Sequence, residues 1–188
     1  MRKHVGRSLT NNGFTKTRSF VLFLIEKVAM DANARKTLID RYKDGYRVVA
    51  EAVAGATDDE LDGRPAPGKW SAREVVHHLA DSEMTAAVRL RVLLATDNPR
   101  IVGFDQDEFA RRLHYDRPLE ASLELFKAVR RATAELLDRM RDADWARQGS
   151  HPEHGAYGIE RWLEIYASHA HKHAEQILVA RDAARQRQ

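Results

Sequence analysis

The stretch "YASHAHKHAEQI", Tyr166 to Ile177, carries three histidines at alternate positions: His169, His171 and His173. On a β-strand all three would project from one face, and on a helix they would not. The flanking residues decide. Trp162, Ile165, Tyr166, Ile177 and Ala180 recur at helical spacing, which predicts a helix from Ile159 to about Ala184. At about 100° per residue, His169 and His173 fall inside the apolar stripe, and His171 falls beside Glu164 and Glu175 on the polar side. An HxxxH pair therefore faces a core, and His171 reads as exposed. An amphipathic helix of this kind must bury its stripe against other elements.

Those elements are also helical. Leu38, Tyr42, Tyr46, Val49 and Val53 mark a helix from Asp31 to about Gly55. "ATDDELDGRPAPGKW" (Ala56–Trp70) reads as a loop, broken by two prolines and two glycines. Ser71 and Glu74 then form a capping box, with Trp70 placed to staple onto Val75, and the helix they open runs to about Ala95. From Thr96 to Arg117 the only regular piece expected is a helical turn near Asp107–Leu113. Pro118 is read into the first turn of a third long helix ending near Asp142, and "WARQGSHPEHGAYG" (Trp145–Gly158) reads as a loop. No useful β-alternation is visible. The expected architecture is an all-α four-helix bundle, with a crossover between helices two and three long enough to cross the bundle and return in parallel.

The chain has 188 residues, no cysteine and a net charge of +3. Without cysteine, disulfides, thiolate metal sites and a cysteine nucleophile are excluded. Residues 1–29 hold six basic side chains and one acid, so the rest of the chain carries −2. The basic balance belongs to that segment and does not argue for a nucleic-acid-binding face. Its apolar run, "FVLFLI" (Phe20–Ile25), is too short to span a bilayer and fits a signal peptide poorly. Two parts follow: residues 1–29 as a poorly ordered basic extension, with Met30 an alternative start, and residues 30–188 as the bundle.

In "VVHHLADSE" (Val75–Glu83) the same helical rotation puts His78 on the border of the core stripe and His77 almost opposite it. His78 can thus join His169 and His173 across a helix interface. Three imidazoles would bind one divalent metal and leave a position open, and imidazole suits Zn, Ni, Cu or Fe. The competing reading is that these are hydrogen-bonded core histidines. Around them, Ser82 could face the cavity but reads as inert, and Glu83 reads as a buried structural pair. Asp81 reads as an inter-helix salt link, and Arg89 as a surface ion pair rather than an anion holder. His151 and His154 could line the cavity mouth, and Asp107 or Glu108 could lend a carboxylate. No residue stands out as the catalytic acid or base. HExxH, GxSxG and a phosphate-cradling glycine loop are all missing from the sequence.

"PGKWSAREVVHHLADSEM" (Pro67–Met84), "RLRVLLATDNPRI" (Arg89–Ile101), "HPEHG" (His151–Gly155) and "YASHAHKHAEQI" together resemble the DinB-like superfamily, within it the YfiT-like metal-dependent hydrolases. The likeness covers roughly Asp31 to Ala184. It implies an up-down-down-up bundle, often dimeric, with one zinc or nickel ion on three histidines; residue by residue these are His78, His169 and His173. Similar proteins include thiol-dependent S-transferases and an isomerase, so the family constrains the site better than the reaction. The expectation is a cytoplasmic, homodimeric metal-dependent hydrolase or thiol S-transferase. It would act on a small molecule, with a low-molecular-weight thiol as a candidate co-substrate and no nucleic-acid or membrane partner. The alternative is a non-enzymatic bundle whose metal is structural or whose histidines are core groups.

Overall fold

A computed structural model describes residues 30–187; the extension expected over residues 1–29 lies outside the described residues. The four long helices are α1 (Ala32–Val53), α3 (Ala72–Ala95), α5 (Glu120–Leu137) and α7 (Ile159–Arg185). Three short ones, α2 (Asp58–Asp62), α4 (Gln106–Arg112) and α6 (Asp142–Trp145), sit in the connections, and a hairpin of β1 (Gln148–His151) and β2 (Gly155–Gly158) precedes α7. No described helix is long and apolar enough to cross a membrane.

Side-chain links give the helix directions. Met30 N donates to Glu160 at the starts of α1 and α7, and Arg181 donates to the Ala52 carbonyl near their ends, so these two run parallel. His77 meets Ser122 early in α3 and α5, and Arg91 meets Thr133 late in both, so that pair is parallel as well. Trp162 Nε1 donates to the Ala86 carbonyl from the opposite end of its helix, which makes α3 and α7 antiparallel. The result is up-down-down-up. The crossover that permits it is residues 96–119.

The helix boundaries expected for α1, α3, α4 and α7 agree to within two residues. Asp31 and Ser71 are the N-caps of α1 and α3, and the Ser71–Glu74 capping box is made in both directions. Three readings change. Helix α5 starts from Leu119, whose carbonyl takes the first helical bond, so Pro118 precedes the helix instead of opening it. It ends at Leu137, and the turn that follows leads into α6, where the Asp144 carboxylate accepts the Arg141 N–H. Thr57 caps α2 inside the supposed loop, and the "HPEHG" loop is a hairpin.

That hairpin is tied to the crossover. Ser150 N donates to the Pro99 carbonyl, and Ile101 N donates to the Ser150 carbonyl. The approach needs Gly149, where an added Cβ would lie 2.2 Å from the Pro99 oxygen. With the crossover pinned there, it lies along α3 and covers the side that an isolated-helix projection leaves wet. Apolar side chains from all four long helices fill the bundle, Tyr42, Leu79, Phe126 and Trp162 among the largest fully buried.

Candidate metal centre

His78 stands in the second turn of α3, and His169 and His173 stand one turn apart in the middle of α7. The antiparallel packing of these helices brings one ring nitrogen from each histidine within 4.8 Å of the others. His78 is 2 % exposed. Trp70 packs on one side of it at 4.8 Å between ring centroids and Phe104 of the crossover at 5.9 Å, while the edge of Tyr166 borders His169 at 5.8 Å. Trp70 therefore walls the histidine.

The hydrogen bonds define what these rings lack. His173 Nδ1 lies 2.8 Å from Gln176 Oε1, an atom that can only accept, so Nδ1 carries the proton and Nε2 presents a lone pair. That lone pair faces His169 Nε2 at 3.1 Å. Both nitrogens of His78 and Nδ1 of His169 are buried with no protein partner. Buried polar groups are normally satisfied, and leaving one unmet costs roughly 1–3 kcal/mol. The residues thus fit a divalent cation: three imidazoles converge, and His78, with neither nitrogen partnered, has a lone pair free to join them. Burial pushes the His78 pKa down to about 3, holds His169 well below its ordinary value and lowers His173. All three are neutral at pH 7.

These shifts predict a pH response. The unfolded chain protonates its histidines near 6.5, whereas the folded site resists, so between the two values the unfolded state binds more protons and gains on the folded one as pH falls. Chelator-treated protein should therefore lose thermal stability progressively below pH 6.5, and for His78 the loss should continue towards pH 3. Melting temperatures measured from pH 8 to pH 4 check this; a flat profile across pH 6.5 to 5 would contradict it.

The neighbouring histidines behave differently from their expected roles. His77 is fully buried, not exposed. Its Nε2 donates to the Arg117 carbonyl at 3.0 Å, so Nδ1 accepts from the Ser122 hydroxyl at 2.8 Å. Both nitrogens are used, and none is left for a metal. His171 is half-buried and donates through Nε2 to the Arg41 carbonyl at 3.0 Å, docking α7 on α1.

The remaining candidates also resolve. Glu83 is the expected buried pair: it receives Arg130 and the Tyr42 hydroxyl. Asp81 makes no salt link among the described residues; it accepts a hydrogen bond from Tyr115 in the crossover at 2.8 Å. Arg89 makes no ion pair there either, and donates instead to the Val102 carbonyl and the Tyr166 hydroxyl. Ser82 is buried, and Glu108 is turned to Arg111 and Arg112. Asp107 borders the site: with Lys69, Trp70, Gln106, His173 and Gln176 it lines a cleft of about 250 Å³. His151 and His154 do not line that cleft. They stack at 4.6 Å on the hairpin, where with Glu153 they form another candidate group. His151 Nδ1 already accepts the Glu153 N–H, so that group is the poorer ligand set. Sequence reasoning missed Phe104 and Gln176; the spacing of Gln176, three residues past His173, was its only signal.

Comparisons with known proteins place the chain in a family and match its fold. The DinB superfamily model matches residues 41–177. A candidate metal-dependent hydrolase of Oceanobacillus iheyensis is 34% identical over 139 residues, covering 74% of this chain and 81% of that protein. Another, of Geobacillus thermodenitrificans, is 34% identical over 133 residues, covering 69% and 74% respectively. The solved structure of YfiT from Bacillus subtilis, described as a metal-dependent hydrolase candidate with an unusual four-helix-bundle topology, superposes with a TM-score of 0.76 at 25% identity, covering 86% of this chain and 91% of that one.

Proposed function

This chain belongs to the DinB superfamily, and on that premise we propose that it is a metal-dependent enzyme, with His78, His169 and His173 holding one divalent ion. The reaction we infer is hydrolysis, or transfer to a thiol, of a small molecule. The observation that carries this reading is the convergence of three neutral imidazoles, His78 with neither nitrogen partnered, beside a cleft that His173 lines. Once bound, such an ion supplies Lewis-acid polarisation and makes water or a thiol a nucleophile near neutral pH.

The chain's own residues supply the rest. Gln176 fixes the His173 tautomer, so its lone pair already points inward. Trp70 and Phe104 exclude water from the His78 side. Asp107 stands exposed on the cleft wall, where its carboxylate can take a proton from a nucleophile at the open end. Zinc and nickel both suit three imidazoles.

Elemental analysis of tag-free protein tests the reading. About one zinc or nickel per chain is expected, with a higher melting temperature in the loaded protein than after chelation, because the ion binds the folded state alone. No metal after reconstitution, and no shift in melting, would leave these as core histidines and remove the enzyme reading with them.

A further inference from the structure

On the face of α3 that carries His78, about two turns further along, a second groove of about 400 Å³ opens between the helix and residues 100–102 of the crossover. Its walls are unlike those of the cleft over the histidines. Met84 and Val88 on the helix and Val102 on the crossover line it and are 42%, 57% and 76% exposed, so large apolar groups stand in water on both of its walls. At its edges are Arg89 and Arg100.

Arg89 is the telling residue. The buried arginines Arg73, Arg130 and Arg181 each have a carboxylate partner. Arg89 is half-buried, and among the described residues it has none, as is also true of Arg100. Its Nε and Nη2 donate to the Val102 carbonyl and its Nη1 to the Tyr166 hydroxyl. A guanidinium has five N–H bonds; three are used here and the Tyr157 hydroxyl also lies beside it, which holds the group in a fixed plane with at least one N–H left. A pre-positioned guanidinium without a carboxylate partner among the described residues, beside an apolar groove, is complementary to a carboxylate with a hydrocarbon body.

We propose that this groove binds a small amphiphilic organic anion, an aliphatic or aryl carboxylate, with its body on Met84, Val88 and Val102 and its carboxylate on Arg89. The inference is independent of the metal reading. It does reach the histidines: Phe104, two residues after Val102, walls His78, and Tyr166, held by Arg89, borders His169. An occupant would therefore press on the same crossover segment that shapes the candidate metal centre.

Titration of the full chain with octanoate, followed by calorimetry or ligand-observed NMR, is the test. Saturable binding in the millimolar range or tighter is expected for a ligand of this size. Val88→Asp, at a solvent-facing position that the fold does not need, and Arg89→Gln should each weaken it about tenfold or more, the scale of one lost charge-assisted hydrogen bond. Octylammonium should not compete. Three results would overturn the proposal: no saturable binding, equal affinity in Val88→Asp and the parent protein, or equal competition by octylammonium. A dimer that Val88→Asp converts to monomer would also overturn it, because the groove would then be covered by a second copy of the chain.

Discussion

Arg130→Ala should destabilise the bundle by about 3–5 kcal/mol, the usual cost of leaving one partner of a buried ion pair uncompensated. Arg130 is 2% exposed, and its guanidinium touches all four long helices. It donates to Glu83 of α3, to the Tyr42 carbonyl of α1 and to the Tyr166 carbonyl of α7, and it stacks over the Tyr42 ring at 3.9 Å. Truncation would strand a fully buried carboxylate and free two main-chain acceptors at once. Against a typical stability of about 5–15 kcal/mol, that is a large share. Denaturant unfolding of the variant measures it, and a loss under 1 kcal/mol would show that the cluster does not brace the bundle. The joint change Arg130→Met with Glu83→Leu should recover part of the loss, since apolar replacement of a whole buried pair is often neutral, but the Tyr42 hydroxyl then loses its acceptor. Gly45→Ala should also destabilise, because its Cβ would lie 2.5 Å from Arg130 Nη2 and 2.8 Å from Ala170 Cβ.

Gly45 shows where the sequence stops being readable. Glycine in mid-helix is a local penalty, and only the placement of Arg130, 85 residues away, explains it. The long helices were legible because their signals are local: the apolar stripe of α7, the Ser71–Glu74 box, the breakers after Ala95. So was the inward turn of His78, His169 and His173. The surroundings of α3 were not. A helical projection assumes one core side and one wet side, and the crossover removes the wet side, burying His77 and Asp81. Their partners, Arg117, Ser122 and Tyr115, lie 34 to 45 residues away and carry no periodic signature. Helix α2 was missed for another reason. Thr57 and Glu60 have capping spacing, but Gly63 and two prolines close by made the segment look like a turn; Glu60 instead anchors Arg181 and Arg185.

His78→Leu should abolish metal binding and yet raise the melting temperature of the metal-free protein. The two effects have one origin. Both nitrogens of His78 are buried and unpartnered, between the rings of Trp70 and Phe104. An apolar side chain of similar size would remove an unmet polar group, and relief of roughly 1–3 kcal/mol follows. His77→Ala should do the opposite, keeping the metal and losing roughly 1–3 kcal/mol, because the Arg117 carbonyl and the Ser122 hydroxyl would lose their partner. His169→Ala and His173→Ala should lose the metal, and His171→Ala should keep it. Gln176→Leu should weaken binding about 10- to 100-fold without abolishing it, since it orients His173 and is not itself a ligand. Metal content and chelator-competition affinities, set beside melts of the same variants after chelation, separate these outcomes. A core histidine contributes to the fold, so its replacement lowers stability; a histidine placed for a metal is a defect until the metal arrives. If His78→Leu melted lower than the parent without metal, or kept its metal, His78 would belong with His77 as a structural residue, and the three-histidine centre would fail at its most buried member.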